Sequence, residues 1–180
     1  MIDTKKYKYI FLDRDGVINM ERPDDYVKNP SEFIFIDGAL EAISLLSKKF
    51  DNIFIITNQR GIGRGIMNTD DLNDIHDYML SEIRKNGGDI SQIYFCADVK
   101  STSINRKPNT GMAFRVIEDY PSVIFSESIM IGNSRSDIEF GKKLGMYTVL
   151  VGDKYLKSDK IYKIVDANYK NLYKFVCTIV

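Results

Sequence analysis

The chain has 180 residues, 44% of them hydrophobic, and its 25 basic side chains are matched by 25 acidic ones. That length and apolar content suffice for one core without disulfide or metal staples, so residues 1–180 are expected to form one domain. Zero net charge excludes the broad positive field that draws proteins onto nucleic acid or anionic membrane, and neither partner is expected.

The N-terminal apolar run is far shorter than the roughly 7 to 15 residues of a signal-peptide core or the roughly 20 of a membrane span. Cys96 and Cys177 lie far apart without CxxC spacing, which fits packing residues in a reducing cytoplasm.

In chain order, apolar runs alternate with helical periodicity. This is the signature of an α/β fold, a three-layer sandwich about a central parallel sheet. Residues 8–12 (KYIFL) read as a buried strand ending at Asp13, and residues 33–36 (FIFI) as a small extra strand. Leu40, Ile43 and Leu46 give residues 38–50 a helical stripe, with Lys48 and Lys49 at the end that favours cations. Residues 53–56 form a second strand, and a loop follows from Thr57 through the glycines 61, 63 and 65. Asn68 and Thr69 offer N-cap oxygens to a helix carrying Leu72, Ile75, Met79 and Ile83, ended by Gly87 and Gly88.

Strands at 93–97, 128–131 and 147–151 alternate with helices at 111–120 and 134–144, the latter stopped by Gly145. A short strand and a helix at 172–176 close the pattern. No stretch is long enough for a large cap domain, so the site is expected to be open to solvent.

Ligands of open parallel sheets gather at the carboxyl ends of the strands, and that is where this chain keeps its polar residues. The first strand ends in Asp13-Arg14-Asp15-Gly16, the second in Thr57-Asn58-Gln59 and the fourth in Gly132-Asn133, with Asp137 a helical turn beyond. Lys107 lies in the loop after the third. Together they supply what phosphoryl transfer requires: a nucleophile, an acid, cations and oriented donors. In an extended chain the Asp13 and Asp15 side chains point different ways, so one can attack phosphorus while the other moves the proton.

A dianionic phosphate is repelled by a carboxylate by roughly 4 kcal/mol per charge pair at about 4 Å and an effective dielectric near 20, so a divalent cation must lie between them. Magnesium prefers hard oxygens, and the Asp13 carboxylate, the Asp15 carbonyl and a side-chain oxygen of Asn133 are the candidate ligands. Thr57 and Lys107 would hold the phosphoryl oxygens. Asp137 serves either the metal or, with Ser134 as N-cap, the start of its helix. Arg60, Arg64 and Arg106 are either surface charge or a trap for a second phosphate. His76, the single histidine, is expected to be structural and remote from the site.

The segments FLDRDGVIN, TNQRGIGRG, RKPNTGM and GNSRSD, in this order, resemble the four motifs of the haloacid dehalogenase superfamily of phosphatases. The likeness is strongest to the capless group that includes D-glycero-D-manno-heptose 1,7-bisphosphate phosphatases and histidinol phosphatases. It spans about residues 9–151.

The resemblance implies a Rossmann-like core and a monomer acting on a small phosphorylated metabolite. It implies Asp13 as nucleophile, Asp15 as acid and base, Thr57 and Lys107 as phosphoryl stabilisers, and substrate contacts from Arg106, Arg64, Asn58 and Gln59 and from Glu21, Arg22, Pro23 and Asp24. It points to a sugar bisphosphate used in surface-polysaccharide or lipopolysaccharide precursor synthesis, with histidinol phosphate or another phosphomonoester as the alternative.

Two departures stand out. The fourth motif reads Gly132-Asn133 where the family has Gly-Asp, which removes a negative charge from the metal shell and admits the further reading of a phosphate-binding scaffold with weakened turnover. Cys96 stands without the companion cysteines and histidine that hold a structural zinc in many heptose phosphatases, so no zinc is expected and residues 98–106 should form a differently shaped loop. A receiver-type phospho-switch uses similar groups but places its aspartate after the third strand, unlike Asp13.

Overall fold

The computed structural model describes residues 4–180. Among these, six strands form one parallel sheet: β1 (Tyr9–Leu12), β2 (Asn52–Asn58), β3 (Gln92–Cys96), β4 (Ser128–Gly132), β5 (Tyr147–Val151) and β6 (Ala167–Tyr169). The order across the sheet is β3-β2-β1-β4-β5-β6. β1 is therefore central, with Leu12 in register with Ile55 on one side and Ile131 on the other. The strand order reverses there, which opens a crevice beyond its carboxyl end.

The six helices are α1 (Ala39–Lys49), α2 (Arg60–Gly63), α3 (Thr69–Lys85), α4 (Gly111–Asp119), α5 (Arg135–Lys143) and α6 (Leu172–Val176). Side chains alternate across a strand, so each strand feeds two cores. Ile10, Leu12, Ile53, Ile55, Ile129 and Ile131 face one side, where they meet Ile43 and Leu46 of α1, Leu72, Ile75, Met79 and Ile83 of α3, and Phe175 of α6. Tyr9, Phe11, Phe54, Ile56 and Met130 face the other, against Met112 and Val116 of α4 and Phe140 of α5.

Local chemistry sets the helix ends as the sequence implies. Asn68 and Asp71 close a reciprocal capping box at the start of α3, and Ser134 and Asp137 form another at the start of α5.

Three local expectations are corrected. Residues 33–36 form no strand: Phe35 makes a single antiparallel bridge with Asn19, and Phe33 is buried against Phe35 and Tyr78. With no neighbouring strand to pair with, the alternating segment serves as packing. β2 runs to Asn58 because Thr57 and Asn58 pair with Phe95 and Cys96 of β3, although their polarity reads as loop. The expected loop at 60–63 then winds into α2. No helix among the described residues is long and apolar enough to cross a membrane.

Phe140 is fully buried between α5 and the sheet. Phe140→Ala is expected to lower the unfolding free energy by about 3 to 5 kcal/mol in urea titration, the range for truncating a well-packed aromatic side chain. A loss within experimental error would mean that this face of the sheet is not tightly packed.

Candidate active site

The carboxyl ends of β1, β2 and β4 bring four chain segments together around Asp13. The Asp13 backbone N–H donates to the Ile131 carbonyl at 2.9 Å, carrying the sheet one residue past β1. Its Oδ1 accepts the Arg14 backbone N–H at 2.8 Å and lies 2.9 Å from Lys107 Nζ. Oδ2 takes no donor among the described residues.

Lys107 is almost wholly buried, and its three ammonium protons have three oxygen neighbours: Asp13 Oδ1, the Ile56 carbonyl at 2.6 Å and Asp137 Oδ1 at 2.6 Å. The last is an ion pair without hydrogen-bond alignment. Burial works against the Lys107 charge, but the Asp13 and Asp137 carboxylates outweigh it and raise its pKa. Asp13 behaves oppositely. Burial and then the Asp137 carboxylate push it up to about 7, with Lys107 pulling the other way.

Two buried acids share one ammonium, and it is Asp13 whose pKa rises.

Asp137 Oδ1 faces Lys107, while Oδ2 accepts the Ser134 backbone N–H at 2.9 Å and its hydroxyl at 2.6 Å. Its side chain is fully buried. Of the two compatible roles its position allowed, the geometry displays the helix cap and adds a close ion pair with Lys107, while Oδ1 accepts no hydrogen bond among the described residues. Gly132 permits this fit, because a Cβ there would collide with the Asp137 side chain.

Asp15 is gripped on both oxygens. Oδ1 accepts from Arg14 Nη2 and Asn19 Nδ2, each at 3.0 Å, and Oδ2 from Gln59 Nε2 at 2.9 Å. Burial opposes its charge, but Arg14 and these hydrogen bonds prevail and lower its pKa. Gln59 Nε2 also reaches Thr57 Oγ1 at 2.8 Å, so that hydroxyl accepts from Gln59 and keeps its own proton to give.

Several residues expected to touch substrate also hold neighbouring groups in place. Asn58 brackets the Lys107 backbone, accepting its N–H at 3.0 Å and donating to its carbonyl at 3.2 Å. Gln59 is buried and spent on Asp15, Thr57 and Arg14. Arg22 pairs with Asp25 and Glu32. Glu21 Oε2 accepts Asn133 Nδ2 at 2.9 Å and both its oxygens meet Lys154.

Pro23 and Asp24, the latter at φ 58°, line a cavity of about 530 Å³ with Gly16, Glu21 and Asn133. A smaller polar cavity of about 130 Å³ joins Arg14, Asp15, Glu21, Arg22 and Tyr26.

Arg64 donates to the Tyr26 hydroxyl at 3.0 Å and Arg106 to the Asp98 carbonyl at 3.3 Å. Burial and then the charge of Arg60 lower the Arg106 pKa, with Arg64 a smaller contributor, so Arg106 feels both other guanidinium groups. Among the described residues none of the three forms an ion pair with a carboxylate.

Two participants escaped the sequence reading. Arg14 is buried between the two aspartates and ties Asp15 to Gln59 and to His76 Nε2, 3.3 Å away. His76 is therefore one side chain from the site rather than remote. Burial and the Arg14 charge lower its pKa to about 3, so it is neutral and accepts from an arginine that can only donate. The available signal was spacing: His76 shares the buried stripe of α3 with Leu72, Ile75 and Met79, which marks it as facing the sheet.

Residues 104–167 match the HAD-hydrolase-like family model. The chain is 36% identical over 145 residues to the D-glycero-beta-D-manno-heptose-1,7-bisphosphate 7-phosphatase of Neisseria meningitidis serogroup A, covering 80% of this chain and 76% of that one. The corresponding D-glycero-alpha-D-manno enzyme of Campylobacter jejuni is 33% identical over 167 residues, covering 93% and 92%. This chain belongs to the HAD-like hydrolases. Its fold agrees: the D,D-heptose 1.7-bisphosphate phosphatase from B. bronchiseptica, solved with magnesium and phosphate, superposes with a TM-score of 0.87 at 30% identity, over 96% of this chain and 97% of that one. It is a HAD-type phosphatase of the kind without a large cap, with β1 and its Asp-x-Asp at the centre of the sheet.

The charge balance has a measurable consequence in this HAD-type phosphatase. Asp13 has a folded pKa of about 7, above its ordinary 3.8, so its contribution favours folding at low pH and is lost as pH rises through about 7. Lys107 is the group that opposes this loss. Lys107→Met leaves two buried carboxylates without their cation and is expected to cost about 3 to 5 kcal/mol at pH 8, with a smaller loss at pH 5, where Asp13 takes up a proton. Urea unfolding at the two pH values checks this; an equal loss at both would contradict the charge balance.

Proposed function

We propose that this phosphatase hydrolyses a phosphomonoester of a small sugar bisphosphate through a phosphoryl group carried on Asp13. D-glycero-D-manno-heptose 1,7-bisphosphate is the substrate its named relatives suggest. The observation that carries the reading is Asp13 itself, with one oxygen locked by Lys107 and the Arg14 amide and the other undonated.

Magnesium fits the donors this chain presents. Asp13 Oδ2, the Asp15 carbonyl and Asn133 Oδ1 are hard oxygens, and nearby the Asp13 and Asp137 carboxylates outnumber the one ammonium between them. When bound, the ion would offset the repulsion between the carboxylate and the phosphate dianion. Support comes from the B. bronchiseptica structure, which was solved with magnesium and phosphate.

In the first half-reaction an Asp13 oxygen bonds to phosphorus as the bond to the leaving oxygen breaks, and Asp15 gives that oxygen its proton. In the second, the Asp15 carboxylate takes a proton from water, the water oxygen bonds to phosphorus, and Asp13 is released with inorganic phosphate. Lys107 and the free hydroxyl proton of Thr57 meet the charge on the equatorial oxygens. As held in this structure, ionised and gripped by Arg14, Asn19 and Gln59, Asp15 is set for the base half. The acid half requires it to loosen that grip and gain a proton.

The unpaired Arg60, Arg64 and Arg106 would receive the second phosphate, since guanidinium groups bind phosphate in bidentate fashion. This reading favours a bisphosphate over histidinol phosphate or another singly phosphorylated substrate. Asn133 supports the second reading, a phosphate-binding scaffold with weakened turnover, because it leaves the shell a carboxylate short.

A panel of phosphorylated metabolites, assayed for phosphate release with and without magnesium, separates these readings. Heptose bisphosphate should rank first, magnesium should be required, and Asp13→Asn should abolish turnover with an unchanged melting temperature. Histidinol phosphate or a nucleotide ranking above the bisphosphate would reject the substrate, and no turnover on any member would favour the scaffold.

A further inference from the structure

Asparagine and aspartate differ at a metal site in more than charge. Either oxygen of a carboxylate can face a cation, whereas an amide presents an oxygen on one branch and a positively polarised NH₂ on the other. An asparagine ligand therefore needs something to choose its orientation, a need that aspartate does not have.

In this chain the choice is made 112 residues away along the sequence, where Glu21 Oε2 lies 2.9 Å from Asn133 Nδ2. An ionised carboxylate only accepts hydrogen bonds, so the NH₂ branch must face Glu21, because the flipped amide would set oxygen against oxygen. The opposite branch, Oδ1, takes no donor among the described residues.

Two further contacts hold the arrangement. Lys154 Nζ lies 2.9 and 3.1 Å from the two Glu21 oxygens, which fixes a carboxylate that is otherwise 41% exposed. Gly16, at φ 81°, gives Asn133 its room, since a Cβ there would collide with the Asn133 amide. That glycine accordingly serves the amide as well as the turn after Asp15.

We propose that Glu21 is a positioning residue for Asn133, orienting the amide so that its oxygen faces the cation site and returning, one hydrogen bond away, the negative charge that aspartate would have supplied. The inference rests on the magnesium reading of the site. It gives Glu21 a task other than the substrate contact expected from its place after the first motif.

The test is magnesium affinity, measured by calorimetry on the wild type, E21M, N133D and the E21M/N133D double variant, each with its melting temperature. Hydrogen-bonding partners of metal ligands typically contribute 10- to 100-fold to affinity, so E21M, which removes the acceptor, should weaken magnesium by about tenfold in the Asn133 protein and by less than about twofold in the N133D protein, where two equivalent oxygens make orientation moot.

An equal loss in both backgrounds would make Glu21 a mere nearby charge and overturn the proposal, as would no loss in either. If E21M does not fold, K154A tests the same point by releasing Glu21, with a weaker magnesium affinity expected and an unchanged one overturning it. A failed magnesium reading looks different: neither the wild type nor N133D would bind the ion.

Discussion

A lysine ammonium buried between two carboxylates at the end of the central strand is the constraint around which the site is arranged. Removing Lys107, Asp13 and Asp137 from water costs several kcal/mol per ion, and mutual attraction offsets this only with close geometry and with every proton placed. The neighbourhood meets both conditions. The Ile56 carbonyl accepts a proton of the ammonium, Asn58 clamps the lysine backbone, and the capping box of α5 fixes Asp137. Even so, the two carboxylates outnumber the ammonium by one charge, and burial, then the Asp137 carboxylate, raises the pKa of Asp13. On the proposed reading, a divalent ion supplies that missing charge where a phosphate dianion must approach.

Two systems of polar contacts meet at this centre. One runs from His76 through Arg14 and Gln59 to Asp15 and Thr57, and sets the protonation and direction of the groups that move protons and stabilise charge. The other runs from Lys154 through Glu21 to Asn133 on the opposite flank, toward β5. The segment after β1 contributes to both, since residues 14 to 21 supply Arg14 and Asp15 to the first and Glu21 to the second. On the proposed reading, the three arginines that form no ion pair among the described residues are left for a ligand.

The sheet was readable because its strands are apolar on both faces and bounded by turn chemistry, and helices such as α3 carry both their stripe and their caps in the sequence. The candidate catalytic positions could be named because four motifs follow strands in order, and the structure brings Asp13, Asp15, Thr57, Lys107 and Asp137 together. What the sequence concealed was the assignment of individual polar side chains. Asn58 and Gln59 look like ligand contacts because they are polar and follow a strand, yet their neighbours in space, Lys107 and Asp15, lie 49 and 44 residues away. The same holds for His76, whose partner Arg14 lies 62 residues away. The FIFI segment misled because alternation marks a half-buried extended chain but does not say whether a partner strand exists.

The central claim, that Asp13 carries the phosphoryl group, is tested most directly by trapping. Turnover is quenched in acid, the acyl phosphate is reduced with borohydride, and the modified residue is located by peptide mass spectrometry. The account predicts homoserine at position 13 and at no other aspartate, present only when substrate and magnesium were both supplied. Reduction at another residue, or none during demonstrable phosphate release, would contradict it.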